Sequence, residues 1–320
     1  MTRIDAHVHF IGEHPEAVAL LEELDVKANN VSVASDHRGS WRGRQGRYRA
    51  LADARSDRYA WSTAFDPPGF GEADYVDRVI EGLARDFADG AVACKVWKNI
   101  GMDVRDPAGK CFQVDDPLWT PVFQWLARQG RAVIMHLADP ITLWQAPSRS
   151  DGAPASKWDM HNRPDMPRHE EIMAAWDRLL ARHPTLRVVG AHLGSQDHDL
   201  AAAAARLERF PNYAVDTSAR LSYLARHDSA KVREFFLRYS GRILWGTDIV
   251  KTVAADCPQA ERTPLLARVR DIYRHAFLYY ESAGEVPVHE RGFRVRGLAL
   301  PREVLERFYA GNARQWLPGL

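Results

Sequence analysis

Arg3-Ile4-Asp5-Ala6-His7-Val8-His9 reads as a β-strand that ends in two histidines. Side chains alternate faces along a strand, so His7 and His9 point the same way, about 7 Å apart at the backbone. Two imidazoles at that spacing can converge on one metal ion with bonds of about 2.0–2.1 Å. Taken alone, a His-x-His pair also fits chance or a pair of surface histidines. Its place near the start of the chain sets the catalytic domain beginning at once.

The same unit recurs outward from there: a short β-rich run, a polar loop, then a stretch of helical period. Strands are expected at 3–9, 31–35, 58–65, 91–97, 131–136, 186–192, 212–217 and 242–247. Helices are expected at 73–88, 117–129, 169–183, 199–209 and 229–239, with a longer one at 262–283. Val133-Ile134-Met135 and Val188-Val189-Gly190 are apolar on both faces, as strands of a covered parallel sheet are. Eight units over this length predict an α/β fold, a (β/α)8 TIM barrel forming a single domain over residues 1–320. No glycine-rich phosphate loop follows the first strand, which argues against a nucleotide-binding fold. Three long loops, at 36–49, 99–116 and 138–168, all follow strands and fall on the C-terminal face, where barrel active sites form. They either shape a substrate pocket or serve as surface and contact segments.

Composition narrows the partners. The 320 residues carry 43 Lys+Arg against 42 Asp+Glu, a net charge of +1, so neither nucleic acid nor an anionic membrane is an expected partner. Hydrophobic residues at 46% suffice for a sizeable core, and no run of about 18 apolar residues marks a transmembrane helix. The first residues pass straight into a strand with no secretory signal pattern. Cys94, Cys111 and Cys257 are odd in number and widely spaced, which reads as reduced thiols in a cytoplasmic protein.

The ends of the strands carry the chemistry: His7 and His9, Lys95, His136, His192, Asp216 and Asp248, each on a different strand after the first pair. A catalytic metal site wants three or four N/O ligands and an open position for water. His7, His9, His136 and Asp248 supply that set, and His192 is placed to act on substrate.

In these motifs the chain resembles the amidohydrolase superfamily, specifically its amidohydrolase-related (amidohydrolase 2) branch. The resemblance rests on Asp5-Ala6-His7-Val8-His9, Val189-Gly190-Ala191-His192-Leu193-Gly194 and Leu244-Trp245-Gly246-Thr247-Asp248, and on the ending from Leu300-Pro301-Arg302 through Gly311-Asn312-Ala313. It implies a barrel with one divalent ion, Zn2+ first, with Mn2+, Fe2+ or Co2+ equally suited to such ligands. By motif, His7, His9 and His136 become ligands, Asp248 a ligand or base, and His192 an acid/base or polariser. In binuclear relatives a strand-4 lysine is carboxylated and bridges two metals; in the mononuclear branch a lysine there bridges nothing. Many relatives have proline where this chain has Val250, which leaves the substrate class open.

A bound divalent ion lowers the pKa of its water from 15.7 to about 7. Asp248 can take the proton of that water, and His192 can polarise a carbonyl oxygen. Alternatives stand beside each role. Lys95 is a bridge, a substrate contact or a barrel ion pair, and Asp216 a metal or base residue or a structural hydrogen-bonding group. His136 is a ligand or a core histidine, and Asp248 a ligand or a helix cap. Arg220 grips a substrate carboxylate through its planar fork or is a solvated surface residue. The arginines at 38–49 recognise an anion or form a basic helix face. Trp97, Trp144 and Trp158 wall the pocket or pack the core, while His161, His169, His183 and His198 read as surface residues.

The chain is accordingly expected to be a metal-dependent hydrolase of an amide, ester or lactone bond in a small molecule. The alternative is a non-oxidative decarboxylase, a lyase acting on an aromatic or unsaturated acid. A catalytically dead barrel would have lost a ligand, and none is lost. A homodimer suits such a barrel, though no feature of the sequence requires one.

Overall fold

The computed structural model describes residues 2–35, 39–69, 72–145, 158–161, 163–288 and 294–320. The strands are β1 (Arg3–Gly12), β2 (Val26–Val31), β3 (Tyr59–Ala64), β4 (Ala93–Val96), β5 (Ala132–Met135), β6 (Arg187–Gly190), β7 (Tyr213–Asp216), β8 (Ile243–Leu244) and β9 (Val250–Val253). They pair in parallel in the order β8-β7-β6-β5-β4-β3-β2-β1-β9. β8 and β9 are two pieces of one strand position, broken at 245–249, and together they close the barrel. Ala6 N–H donates to Trp245 O (2.9 Å), Asp248 N–H to His7 O (2.8 Å) and His9 N–H to Ile249 O (2.9 Å). The expected TIM barrel is thus the fold.

The major helices around it are α1 (Pro15–Glu23), α2 (Trp41–Ala54), α3 (Tyr75–Ala88), α4 (Thr120–Arg128), α5 (His169–Arg182), α6 (Leu200–Arg209), α7 (Ser229–Arg238) and α8 (Gln259–Glu281). Inside the barrel lies a plug of small and branched residues, among them Ile4, Ala6, Ala93, Ala132, Ile134, Ala214 and Leu244. Trp316 and Leu317 of the C-terminal segment join that plug. The larger apolar layer, including Val8, Phe10, Trp176 and Trp245, packs between strands and helices. No helix among the described residues is long and apolar enough to cross a membrane.

Four expectations are corrected. The second strand is Val26–Val31, not 31–35. Its Asn29 and Asn30 look like loop residues, but they are buried and bonded: Asn29 Nδ2 donates to Ala6 O (2.9 Å), and Asn30 Oδ1 accepts from Phe10 N–H (2.7 Å). Most of the expected 36–49 loop is the start of α2, which buries Trp41, Gln45, Tyr48 and Leu51 at helical spacing under a polar outer face. Arg38, and residues 146–157 of the expected 138–168 loop, lie outside the described residues. The last expected strand is split as above. His169 and His183, read as surface residues, are each 6% exposed. His169 lies edge-on to Trp144, and His183 edge-on to Phe123.

One irregularity decides where the histidines point. Asp5 pairs with Ala28 but Val8 pairs with Asn30, so β1 carries one extra residue there. A bulge of this kind re-aims the side chains beyond it. Ile4 and Ala6 belong to the inner plug and Val8 and Phe10 to the outer layer, so His7 and His9 turn inward above the plug. Asp5 turns outward, where its carboxylate accepts Thr247 N–H at 3.0 Å. Burial pushes its carboxyl up from 3.8 to about 7, against hydrogen bonds from Thr247, His7 and Tyr273. A carboxyl raised in the folded state costs stability as pH climbs above its unfolded value, and the cost levels off above the folded one. The stability of Asp5→Asn minus that of the parent, followed by thermal melting, is therefore expected to rise between about pH 4 and pH 7, by up to about 1.4 kcal/mol per pH unit, and then to level off. A difference that stays flat across that range contradicts the assignment.

Candidate metal centre

Asp216, at the end of β7, organises the site. Its Oδ2 accepts His7 Nδ1–H at 2.9 Å. Its Oδ1 accepts the backbone N–H of His192 (2.9 Å), the backbone N–H of Ser218 (3.0 Å) and the Ser218 hydroxyl. Burial opposes its ionisation, yet His7 and these donors hold its carboxyl below the usual range. With Nδ1–H committed to a carboxylate, His7 presents the lone pair of Nε2, which lies 3.2 Å from Lys95 Nζ. His192 is fixed in the same way: its Nδ1 lies 2.8 Å from Ser218 O, an acceptor only, so Nδ1 carries the proton and Nε2 the lone pair. Burial, with His136 and Arg220 beside it, pushes His192 well below the usual imidazole range, and burial and Lys95 lower His7. Both rings are therefore neutral at pH 7.

Asp248 follows β8 with a left-handed backbone (φ 62°), its Oδ1 3.3 Å from His9 Nε2. Burial opposes ionisation here too, but His9 holds the carboxyl well below its ordinary value. His7, His9 and Asp248 each bring one donor atom within 4.8 Å of the other two. His7, His192 and Asp216 meet the same criterion, but there Asp216 already accepts His7 Nδ1–H, and His192 Nδ1 is turned to the Ser218 carbonyl. The first set fits a divalent ion: lone pairs already aimed by a buried carboxylate, neutral imidazole, and an ionised oxygen. The Lys95 ammonium beside His7 occupies cation-favouring space. Its pKa is pushed down to about 8 by burial, with Asp216 and Asp248 opposing.

His136 stands in the same cavity but outside both sets. Its ring lies edge-on to His192, centroids 4.3 Å apart, and its Nε2–H donates to Asp139 Oδ1 at 3.1 Å. Burial takes it down to about 4, against Asp139. Asp139 also accepts from Lys98, and against burial its carboxyl falls to about 2. The cavity, about 550 Å³, brings together His7, His9, Lys95, Trp97, His136, His192 and Asp248. It excludes Arg220, whose guanidinium is buried against Asp197 and faces a neighbouring cavity. Trp97 and Trp158 meet edge-to-face as one wall, centroids 5.4 Å apart, while Trp144 donates to Pro167 O and packs on His169 instead.

Sequence reasoning missed Lys98, Asp139 and Ser218. Lys98 directly follows Trp97 past β4, Asp139 follows His136 by three residues, and Ser218 follows Asp216 by two. Each was visible as a polar residue just beyond a strand end. Those loop starts hold strained backbone: His192, Leu193, Gly194 and Ser195 are all left-handed, φ 55–61°, as is Ala219 at φ 53°. The non-glycine residues among them cost about 1–3 kcal/mol each, and such residues concentrate at functional sites. Gly194 admits no side chain, since a Cβ there would sit 1.8 Å from the Tyr213 hydroxyl.

The family model described as Amidohydrolase matches residues 4–319. The chain belongs to the amidohydrolase family. No curated protein matches it in sequence. Among solved structures it is similar to a 2,6-dihydroxybenzoate decarboxylase from Rhizobium (14% identity, TM-score 0.58, covering 99% of this chain and 98% of that one). A 4-oxalomesaconate hydratase from Rhodopseudomonas palustris matches at 11% identity and TM-score 0.55, over 99% and 96% of the two chains. An amidohydrolase from Burkholderia multivorans with bound zinc matches at 14% and 0.52, over 99% of each chain. Likeness at these identities shows the fold; the family match shows a metal-dependent enzyme class.

Replacing Asp216 with Asn frees His7 to change tautomer and orientation. Metal affinity is expected to fall by about 10–100-fold while the chain stays folded, whereas His7→Ala abolishes binding. Competition against a chromophoric chelator measures both; equal affinity in Asp216→Asn and the parent contradicts the role of Asp216.

Proposed function

We propose that this protein is a metal-dependent hydrolase that opens an amide, ester or lactone bond in a small, carboxylate-bearing molecule. The observation that carries this reading is the convergence of His7, His9 and Asp248 in one cavity with a neutral His192 whose Nε2 is unprotonated. In this reading His7, His9 and Asp248 hold the ion, with His136 as a fourth ligand. When bound, a divalent ion supplies a Lewis acid for a substrate oxygen and acidifies water to a pKa of about 7. Against the expectation that Asp248 takes the proton of the attacking water and His192 polarises the substrate, His192 is given the base role in this reading, because its Nε2 is unprotonated. It carries the water's proton to the leaving group, while Asp248, paired with His9, stays ionised. Lys95 and Lys98 place positive charge where a substrate carboxylate can rest, and Trp97 walls the bond's flat neighbourhood.

A second reading is non-oxidative decarboxylation of an aromatic or unsaturated acid. The Trp97–Trp158 wall favours it, because Lys98 Nζ sits 4.2 Å above the Trp158 ring and makes a flat, cation-edged slot for a planar acid.

Metal-loaded protein separates the two when offered lactones, esters and amides beside aromatic acids, with titration of released acid and a coupled assay for carbon dioxide. Acid release without carbon dioxide is expected, and His192→Asn should lower kcat by about 10²–10⁴-fold. Carbon dioxide as the product overturns hydrolysis in favour of the second reading. A metal-to-protein ratio near one is expected by elemental mass spectrometry, whereas a ratio near two assigns Lys95 as a bridge.

A further inference from the structure

A second cavity, about 440 Å³, lies on the other side of Asp248 and Val250, which line both. It is built by residues 217–223 after β7, by 245–251 between β8 and β9, and by one face of α8. Asp248 is the one carboxylate among its described lining residues, and His9 already stands against it. The cations lining it are Arg220, Lys251 and Arg268. Arg220 is buried, with Nε donating to Asp197 Oδ1 at 3.0 Å and its guanidinium 5.0 Å from the Tyr223 ring centroid. A fork held by one carboxylate, by the Ala219 carbonyl at 3.2 Å and by one aromatic face is preorganised to offer its remaining N–H groups to a planar or tetrahedral oxyanion. Lys251 forms no ion pair among the described residues. Segments after the seventh and eighth strands of such barrels frequently cradle phosphate.

We propose that this second cavity is an oxyanion site, holding a carboxylate or phosphate group that the substrate carries away from its reacting bond. The part played by the substrate rests on the catalytic reading above; the oxyanion site itself rests on Arg220, Lys251 and Arg268 alone. A substrate spanning both cavities passes over Asp248 and Val250, so its reacting bond lies near His9 and Asp248 while its far end is gripped by cations.

Calorimetric titration with inorganic phosphate and with adipate, on metal-loaded and on chelator-stripped protein, tests this. Phosphate is expected to bind equally to both forms, and to lose about tenfold in affinity or more in Lys251→Ala and in Arg268→Ala. Adipate, long enough to reach across, is expected to weaken in the variants and also on stripping. Phosphate binding that is unchanged in both variants, or that vanishes on stripping, overturns the site. Adipate binding that ignores stripping overturns the spanning substrate. A protein that takes up no metal yet binds phosphate through Lys251 keeps the oxyanion site and removes the catalytic reading.

Discussion

The hydrogen bond from His7 to Asp216 fixes the first strand against the seventh across the mouth of the barrel. One carboxylate accepts four donors drawn from β1, the turn after β6 and the turn after β7. Burying that charge would be costly if any of those donors were missing. With all four in place, it sets the tautomer of His7, anchors the backbone of His192, and holds Ser218 where its carbonyl sets the tautomer of His192. The orientation of the His7 and His192 rings and the geometry of both loops thus follow from one buried anion.

The backbone around that anion is bent where it serves. The bulge in β1 breaks the alternation set by Ile4 and Ala6, so His7 and His9 also face the inside of the barrel, above the plug. The left-handed run at 192–195 lifts His192 off the end of β6, and Asp248 is left-handed at the break between β8 and β9. Summed strain of this size persists only when surrounding contacts over-determine the conformation. Here the backbone bonds to Asp216, the missing side chain at Gly194 and the bond from Asp248 N–H to His7 O supply that constraint.

Much of this was legible in the chain. The alternation of buried strands and amphipathic helices gave the barrel, and polar residues at strand ends gave His7, His9, Lys95, His136, His192, Asp216 and Asp248. Strand β2 was not legible, because its buried asparagines are stabilised by partners on β1 and β3 that only the closed sheet brings near. The arginine-rich start of α2 was read as loop because its apolar positions are sparse. Arg220 was legible as a candidate for an anion but not as a resident of a separate cavity. Its partner Asp197 lies in a turn whose position depends on the left-handed run before it. Lys98 and Asp139 escaped because a salt bridge between two loops has no local signature in sequence.

The break between β8 and β9 makes the last seam of the barrel unlike the others. Here β9 pairs with the top of β1, and below it the seam is carried by isolated bonds at Ala6, His7 and His9 to residues 245–249. His9 and Asp248 face each other across that gap. An ion shared by them would be a clasp on the seam. By linkage, any ligand held across the seam opposes its local opening, so occupancy of such a site and closure of the barrel would be one equilibrium.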